Sequence, residues 1–447
     1  MCLVLPLVLA FLLTPTALAL PLIKATPVLP SKDSFYIVPR DIDQYQPGSI
    51  LTYRKPPYPI AALGIAKANI KESHQILYRT TDSHGNATAT VLTVLIPNNA
   101  DYTKVLSYQV AEDAGSINCA PSYALQLGSA RGELLGTIVT QAEVLLIESA
   151  LEQGWVVIVP DFQGPGGAFL ANRLAGQAIL DGIRAALQSS EFTGISQQPT
   201  IALWGYSGGG ITSAWAAELQ PSYAPELDIA GAALGGIEPT LPKVLSNINR
   251  SFFSGLIASG IVGLSNEYPS VARSMGENLK PEHAKTLEKM KQQCAVANIL
   301  EFSGQDILSM FNEGTFSLPE NVQIMEANAL GQAVPKTPLF IYKSVFDEVS
   351  AVQETDDLYD FYCSQGASVE YERDLLSEHA ILAITGAPRA LSFLNNVMAG
   401  RQPRRGCYKS TVTSSLLDPD VKKLLPSVLL NAFLDLLGKP IGPAFFG

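Results

Sequence analysis

Short, wholly apolar runs recur along the chain: KVLSYQV (104–110), WVVIVPDF (155–162), TIALWGYS (200–207), IAGAALGG (229–236) and PLFIYKSV (338–345). Longer stretches compatible with helix separate them. A strand with one wet face alternates apolar and polar positions, whereas a strand covered on both faces does not. These runs therefore predict an α/β protein with a mostly parallel central sheet and helices on both faces. Ahead of them, QILYRTT and ATATVLTVLIP, between His74 and Pro97, flank the turn-forming Asp-Ser-His-Gly-Asn. That arrangement predicts an antiparallel hairpin. Residues 20 to about 70, with Pro56 next to Pro57, read as irregular surface chain without evident chemistry.

The strand rhythm stops between Glu238 and Val334. This segment carries LSNINRSFFSGLIASGIVGLS, the charged piece PEHAKTLEKMKQQ and further helical stretches, but nothing like the strands of the main sheet. It is expected to form an inserted helical cap (238–334), dividing a core into a first part (20–237) and a second (335–447). Ligands in such sheets bind at the carboxyl ends of the strands.

The chain has 447 residues, enough for a large core; 47% are hydrophobic and 16% charged, which excludes disorder. So apolar a composition implies an apolar face somewhere, and one that meets lipid fits. A net charge of −11 and no basic block argue against nucleic-acid binding. The opening run MCLVLPLVLAFLLTPTALAL, ending in small residues at Ala17-Leu18-Ala19, reads as a secretory signal peptide (1–19). No Lys or Arg precedes the run, so a buried N-terminal segment stays open as the alternative. Cleavage removes Cys2 and leaves Cys119, Cys294, Cys363 and Cys407, for which an oxidising compartment implies two disulfides in one of three pairings. Free buried cysteines are the other reading. Asn86-Ala-Thr and Asn249-Arg-Ser match the glycosylation acceptor pattern. The tail LLPSVLLNAFLDLLGKPIGPAFFG is broken by Pro426, Asn431, Asp435 and Lys439, so no transmembrane anchor is expected. A soluble, secreted monomer follows.

Candidate chemistry centres on Trp204-Gly205-Tyr206-Ser207-Gly208-Gly209-Gly210, where an apolar strand ends at a serine and ITSAWAAELQ begins at once. A serine on a sharp strand-to-helix turn projects above the sheet, at a helix start whose free N–H groups favour developing negative charge. Its hydroxyl needs a base, and the base needs an orienting carboxylate. Of four histidines, His74, His84 and His283 read as solvated surface residues, while His379 lies after the expected strand VEYERDLL and after Ser207 in chain order. Asp347 is the first carboxylate off PLFIYKSV, with Glu348 as its rival. One oxyanion donor is the N–H of Gly208. The other belongs to the loop Ala111-Glu112-Asp113-Ala114-Gly115, with Asp113 or a neighbour as candidate. An ionised acid there is unfavourable, but one kept neutral by burial can donate a hydrogen bond. An exposed acidic turn is the bland alternative. Neither a cofactor nor a metal is called for.

LYRTTDSHGN, SYQVAEDA with NCAPSYAL, VPDFQGPGGAF, WGYSGGG, Gly235-Gly236, FIYKSVFDEV and LLSEHA occur in an order that resembles the fungal secretory lipase family of the α/β-hydrolase superfamily, over roughly residues 30 to 440. That family also includes trichothecene C-3 esterase-like enzymes. The resemblance implies a Ser207, Asp347, His379 triad, an oxyanion hole at Asp113 and Gly208, and the pairs Cys119 with Cys294 and Cys363 with Cys407. It further implies an acyl tunnel beneath the cap and a C-terminal flap. Two ester classes stay open: lipid esters such as acylglycerols, and small acetylated metabolites. A non-catalytic binding protein on the same fold and a serine peptidase are the remaining alternatives.

Overall fold

The computed structural model describes residues 26–62, 66–129, 140 and 143–417. The expected signal peptide and the apolar tail lie outside the described residues. Strands are numbered in chain order: β1 (Ile50–Arg54), β2 (Ala61–Ala62), β3 (Ala66–Lys67), β4 (Glu72–Thr81), β5 (Ala87–Ile96), β6 (Asp101–Gln109), β7 (Trp155–Pro160), β8 (Thr200–Tyr206), β9 (Ile229–Gly235), β10 (Leu339–Ser344), β11 (Val369–Asp374) and β12 (Cys407–Val412). Ten of them form one sheet in the order β1-β4-β5-β7-β6-β8-β9-β10-β11-β12, and β2 pairs with β3 separately. The pairs among β1, β4, β5 and β7 are antiparallel. From β7 through β12 every pairing is parallel.

Every residue of β7 and β10 is buried, which is why these runs show no polar alternation. Their side chains still alternate between faces, as pleating requires. Val156 and Ile158 join Leu203, Ile341 and the helices Asn172–Gln188 and Gly208–Tyr223 in one core layer. Val157, Val159, Trp204 and Phe340 join Ile147 and Leu391, from the helices Val144–Glu152 and Ala387–Met398, in the other. Each fully buried side chain of this size contributes roughly 1.5–3 kcal/mol.

Between β9 and β10 the chain forms six α-helices: Leu241–Ile248, Gly255–Glu267, Pro269–Asn278, Ala284–Met290, Ala295–Phe302 and Pro319–Ala327. They share a core of their own, with Ile261, Met275, Met310 and Phe311 at its centre. Their docking onto the sheet domain is close: a Cβ on Gly263 would lie 2.4 Å from the carbonyl oxygen of Phe169. Cys119 and Cys294 are bridged at a Cα separation of 5.7 Å, tying this unit to the loop after β6. Cys363 and Cys407 are bridged at 5.9 Å, tying the helix Val352–Ser364 to β12. No helix among the described residues is long and apolar enough to cross a membrane.

Two strands of the main sheet depart from the expectation, and the short pair β2 and β3 also falls in the segment expected to be irregular. The segment expected to be irregular contains β1, which extends the antiparallel edge by pairing with β4. At the opposite edge β12, CYKSTV, has no buried position and hence no apolar run.

Candidate active site

β8 ends at Tyr206 and the next helix begins at Gly208, so Ser207 alone makes the turn, with φ +52° and ψ −125°. That backbone is costly for a residue with a side chain. It is held by the Ser207 N–H donating to the Gly235 carbonyl at 2.9 Å and by a turn so tight that a Cβ on Gly205 would stand 2.2 Å from the Gly209 oxygen.

His379 Nε2 lies 2.9 Å from Ser207 Oγ, and His379 Nδ1 lies 2.7 Å from Asp347 Oδ2. Three residues far apart in the chain thus form one continuous hydrogen-bonded line. His379 is the first residue of a short helix, His379–Thr385, rather than part of a loop. Its backbone N–H donates to Glu348 Oε2 at 2.8 Å, so the rival carboxylate grips the main chain of His379 and not its ring. Its carbonyl accepts from the Tyr206 hydroxyl. Asp347 Oδ1 accepts the N–H groups of Val349 and Ser350, each at 2.9 Å. Its Oδ2 also meets the Lys343 ammonium at 2.9 Å, both side chains being fully buried.

Burial alone would raise the Asp347 pKa, but the neighbouring charges of His379 and Lys343 and these hydrogen bonds hold it far below its ordinary 3.8. Burial likewise opposes a charged His379, yet the charge and hydrogen bond of Asp347 and the charge of Glu238 outweigh it and raise the pKa above 6.5.

Asp113 is buried beside this line, with φ +44°. A Cβ on Gly208 would fall 2.0 Å from Asp113 Oδ1, so the carboxyl lies directly against that residue. Burial, reinforced by the charge of Glu238, raises its pKa to about 7. Its Oδ1 has no hydrogen-bond partner among the described residues.

Lys343 and Glu238 were not singled out from the sequence. A lone lysine inside the apolar run PLFIYKSV was a legible sign, since a buried ammonium demands a partner. Glu238, which accepts from Ser207 Oγ at 3.1 Å, carried no such sign beyond its place just past β9.

Elsewhere, His84 is exposed and bonds through Nε2 to the Glu267 carbonyl, and His283 is partly buried in a short cap turn. His74 corrects the expectation of a solvated residue. It is 5% exposed, lies 3.4 Å from Glu72 and tilts against Phe192, a ring on which Tyr53 of β1 stacks. Asn86 is exposed in the hairpin turn. Asn249 is partly buried, its amide donating to Asp306 at 2.7 Å.

Ser207, Asp113 and Glu238 are among the residues that line a cavity. The rest of its wall is mainly aliphatic and thioether: Leu245, Ile257, Ile261, Met275 and Met325 from the helical unit, and Ile211 from beneath. Such a surface accepts a hydrocarbon chain and repels a polar one.

A family model described as "Secretory lipase" matches residues 129–406. The chain is 47% identical to Lipase A of Arthroderma benhamiae over 428 residues, covering 95% of this chain and 91% of the relative. It is 40% identical to Probable inactive lipase MT1628 of Mycobacterium tuberculosis over 384 residues, 85% of this chain and 84% of that protein. The crystal structure of Candida antarctica lipase A in its closed state superposes with a TM-score of 0.79 at 29% identity, covering 94% of this chain and 99% of that one. The chain belongs to the secretory lipase family and is an ester hydrolase built on the α/β-hydrolase fold.

Proposed function

We propose that this protein is a secreted lipase that hydrolyses acylglycerols or other lipid esters, with Ser207 as nucleophile, His379 as general base and acid, and Asp347 as the residue that orients the imidazole. The observation that carries the reading is the line Ser207 Oγ to His379 Nε2 to Asp347, at 2.9 and 2.7 Å, opening on an apolar cavity.

In the first half-reaction Oγ bonds to the ester carbonyl carbon while its proton passes to Nε2 and the carbonyl electrons move onto oxygen. Two donors meet that oxyanion: the N–H of Gly208 and the carboxyl of Asp113, which keeps its proton up to about pH 7 because it is buried. Each such donor is worth roughly 3 kcal/mol of barrier. The bond to the alcohol breaks, Nε2 hands its proton to the leaving oxygen, and the acyl group stays on Ser207 with its chain in the cavity. Water, deprotonated by the same imidazole, then releases the acid. Nothing in this sequence calls for a metal or cofactor.

The two disulfides support an oxidising, extracellular destination, matching the signal peptide read in the sequence. Action as a monomer is part of the proposal.

Initial rates on nitrophenyl esters from acetate to palmitate are expected to peak at medium or long chains. Activity confined to acetate would overturn the lipid reading in favour of a metabolite deacetylase. A fluorophosphonate is expected to label the unaltered protein and not Ser207→Ala, whose kcat should fall by a factor on the order of 10⁴ or more. An unlabelled protein would mean a binding protein, and peptide cleavage without ester cleavage a peptidase.

A further inference from the structure

We infer that Glu238 is a fourth member of the Ser207, His379, Asp347 proton network, and that in its ionised form it holds the imidazole of His379 protonated and at rest. The inference rests on the triad reading above.

The chain past β9 brings this carboxyl into place. Gly236, with φ +57°, turns the strand end and donates its N–H to the Tyr342 carbonyl at 2.9 Å. The next carbonyl, of Ile237, accepts the Lys343 ammonium at 2.9 Å. Glu238 follows at once, 5% exposed, with its side chain over the nucleophile. Its Oε1 is 3.1 Å from Ser207 Oγ and 3.4 Å from His379 Nε2, while Oε2 is buried without a hydrogen-bond partner among the described residues.

One serine proton therefore has two acceptors, at 2.9 and 3.1 Å. If the imidazole is neutral, with its proton on Nδ1 toward Asp347, the bare Nε2 lone pair and an ionised Oε1 face each other across 3.4 Å. With a proton on Nε2 every contact becomes attractive: Nε2–H meets Oγ and Oε1, and the serine hydroxyl donates to Oε1.

Charges on the neighbouring elements point the same way. His379 faces Glu238 from its helix, Asp347 and Lys343 from β10 and the loop beyond it, Asp113 from the loop after β6, and the Tyr206 hydroxyl from the end of β8; Glu348 acts on Tyr206 from the same loop as Asp347. The helical unit contributes apolar neighbours, Leu241 among them. Lys343 already neutralises Asp347, which leaves His379 and Glu238 as the second pair. Burial, joined by the charge of Asp347, raises the Glu238 pKa above its ordinary 4.5 against the opposing charges of His379 and Lys343, and once ionised its charge in turn supports the imidazolium.

Nucleophilic attack needs Nε2 bare. The proton on Nε2 must first pass to Oε1, giving a neutral imidazole and a neutral carboxylic acid with no change in total charge, or leave for solvent. Where it leaves for solvent, the charge of Glu238 opposes that loss and so moves the acid limb of activity to higher pH, whereas transfer to Oε1 exchanges no proton with solvent and has no pH dependence of its own.

The test is kcat/KM against pH on a soluble short-chain nitrophenyl ester for the unaltered protein, Glu238→Gln and Glu238→Ala, with the active fraction counted by fluorophosphonate labelling. Both variants are expected to shift the acid limb to lower pH, raising activity on that limb, relative to each protein's plateau, by at least about threefold. KM is expected to change little. A limb that stays in place or moves upward in both variants overturns the inference while labelling leaves the triad intact; absent labelling of the unaltered protein instead removes the triad reading itself. Should neither variant fold, imidazole proton resonances of the unaltered protein decide. An imidazolium persisting above about pH 7 supports the inference, and a neutral ring by about pH 6 overturns it.

Discussion

At the scale of single residues, Lys343 has a larger structural role than its solitary place in an apolar strand suggests. It is fully buried, pairs with Asp347 at 2.9 Å and caps the Ile237 carbonyl at 2.9 Å. An ammonium is tolerated there because both partners are fixed by the backbone, one at the end of β10 and one just past β9. Removing it strands a carboxylate in a site that excludes water, and breaking a buried pair of this kind costs about 3–5 kcal/mol. Lys343→Met should therefore lower the urea midpoint markedly. It should also reduce kcat more than it changes KM, because Asp347 loses the charge that keeps it ionised beside His379. A variant as stable and as active as the parent would show that the pair contributes nothing.

At the scale of elements, Ser207, Asp347 and His379 lie past the carboxyl ends of the parallel strands β8, β10 and β11, while most of the apolar cavity wall comes from the helical unit between β9 and β10. The Cys119–Cys294 bridge spans 175 residues and joins the loop region after β6 to that unit. Closing so long a loop restricts the unfolded chain strongly, and loss of a native disulfide typically costs about 2–5 kcal/mol. The double variant Cys119→Ser, Cys294→Ser should thus unfold at lower denaturant. Its rate of fluorophosphonate labelling should change little, since Ser207, Asp347 and His379 follow β8, β10 and β11, none of which carries a cysteine of the bridge. An unchanged midpoint would refute the stabilising role, and lost labelling in a folded variant would show that the bridge also shapes the site. The same scale explains the two strands that sequence patterning missed. β1 and β12 lie at the sheet edges, where one flank meets solvent and no continuous apolar run is required.

At the scale of the whole molecule, an unusual number of carboxyls are buried. Burial raises Asp113 and Asp161 to about 7 and Glu143 to about 8, and pushes Glu112 well above its ordinary value. Unfolded, these groups ionise near pH 4. Between that point and about pH 7 to 8 the unfolded chain therefore binds fewer protons than the folded one, and stability falls as pH rises. Asp347 acts oppositely: its lowered pKa contributes stability above about pH 4 that is lost as pH falls further. The buried acids outnumber it, so thermal unfolding should show a higher midpoint near about pH 5 than near about pH 8. A midpoint that rises across that interval would mean that these carboxyls are ionised in the folded state.

Local patterns in the sequence were enough to place the main strands, the turn at Ser207, the three residues Ser207, Asp347 and His379 that meet in one hydrogen-bonded line, and the helical stretch after β9. Each is a property of one strand and the turn beside it, and burial on both faces or a strained turn leaves its mark in adjacent residues. Spacing left three cysteine pairings, two acids for His379 and several residues of the 111–115 loop open, with only a family resemblance to choose among them. Tertiary packing decided that Asp347 meets the ring while Glu348 holds the main chain, that the Asp113 carboxyl lies against Gly208, that Lys343 pairs with Asp347, and that Glu238 approaches the same histidine. Apart from Lys343 and Asp347, which are four positions apart, such contacts join residues 31 to 172 positions apart, as between Ser207 and Glu238 or His379. No local periodicity records them, because they depend on where the loop after each strand ends relative to its neighbours in the sheet.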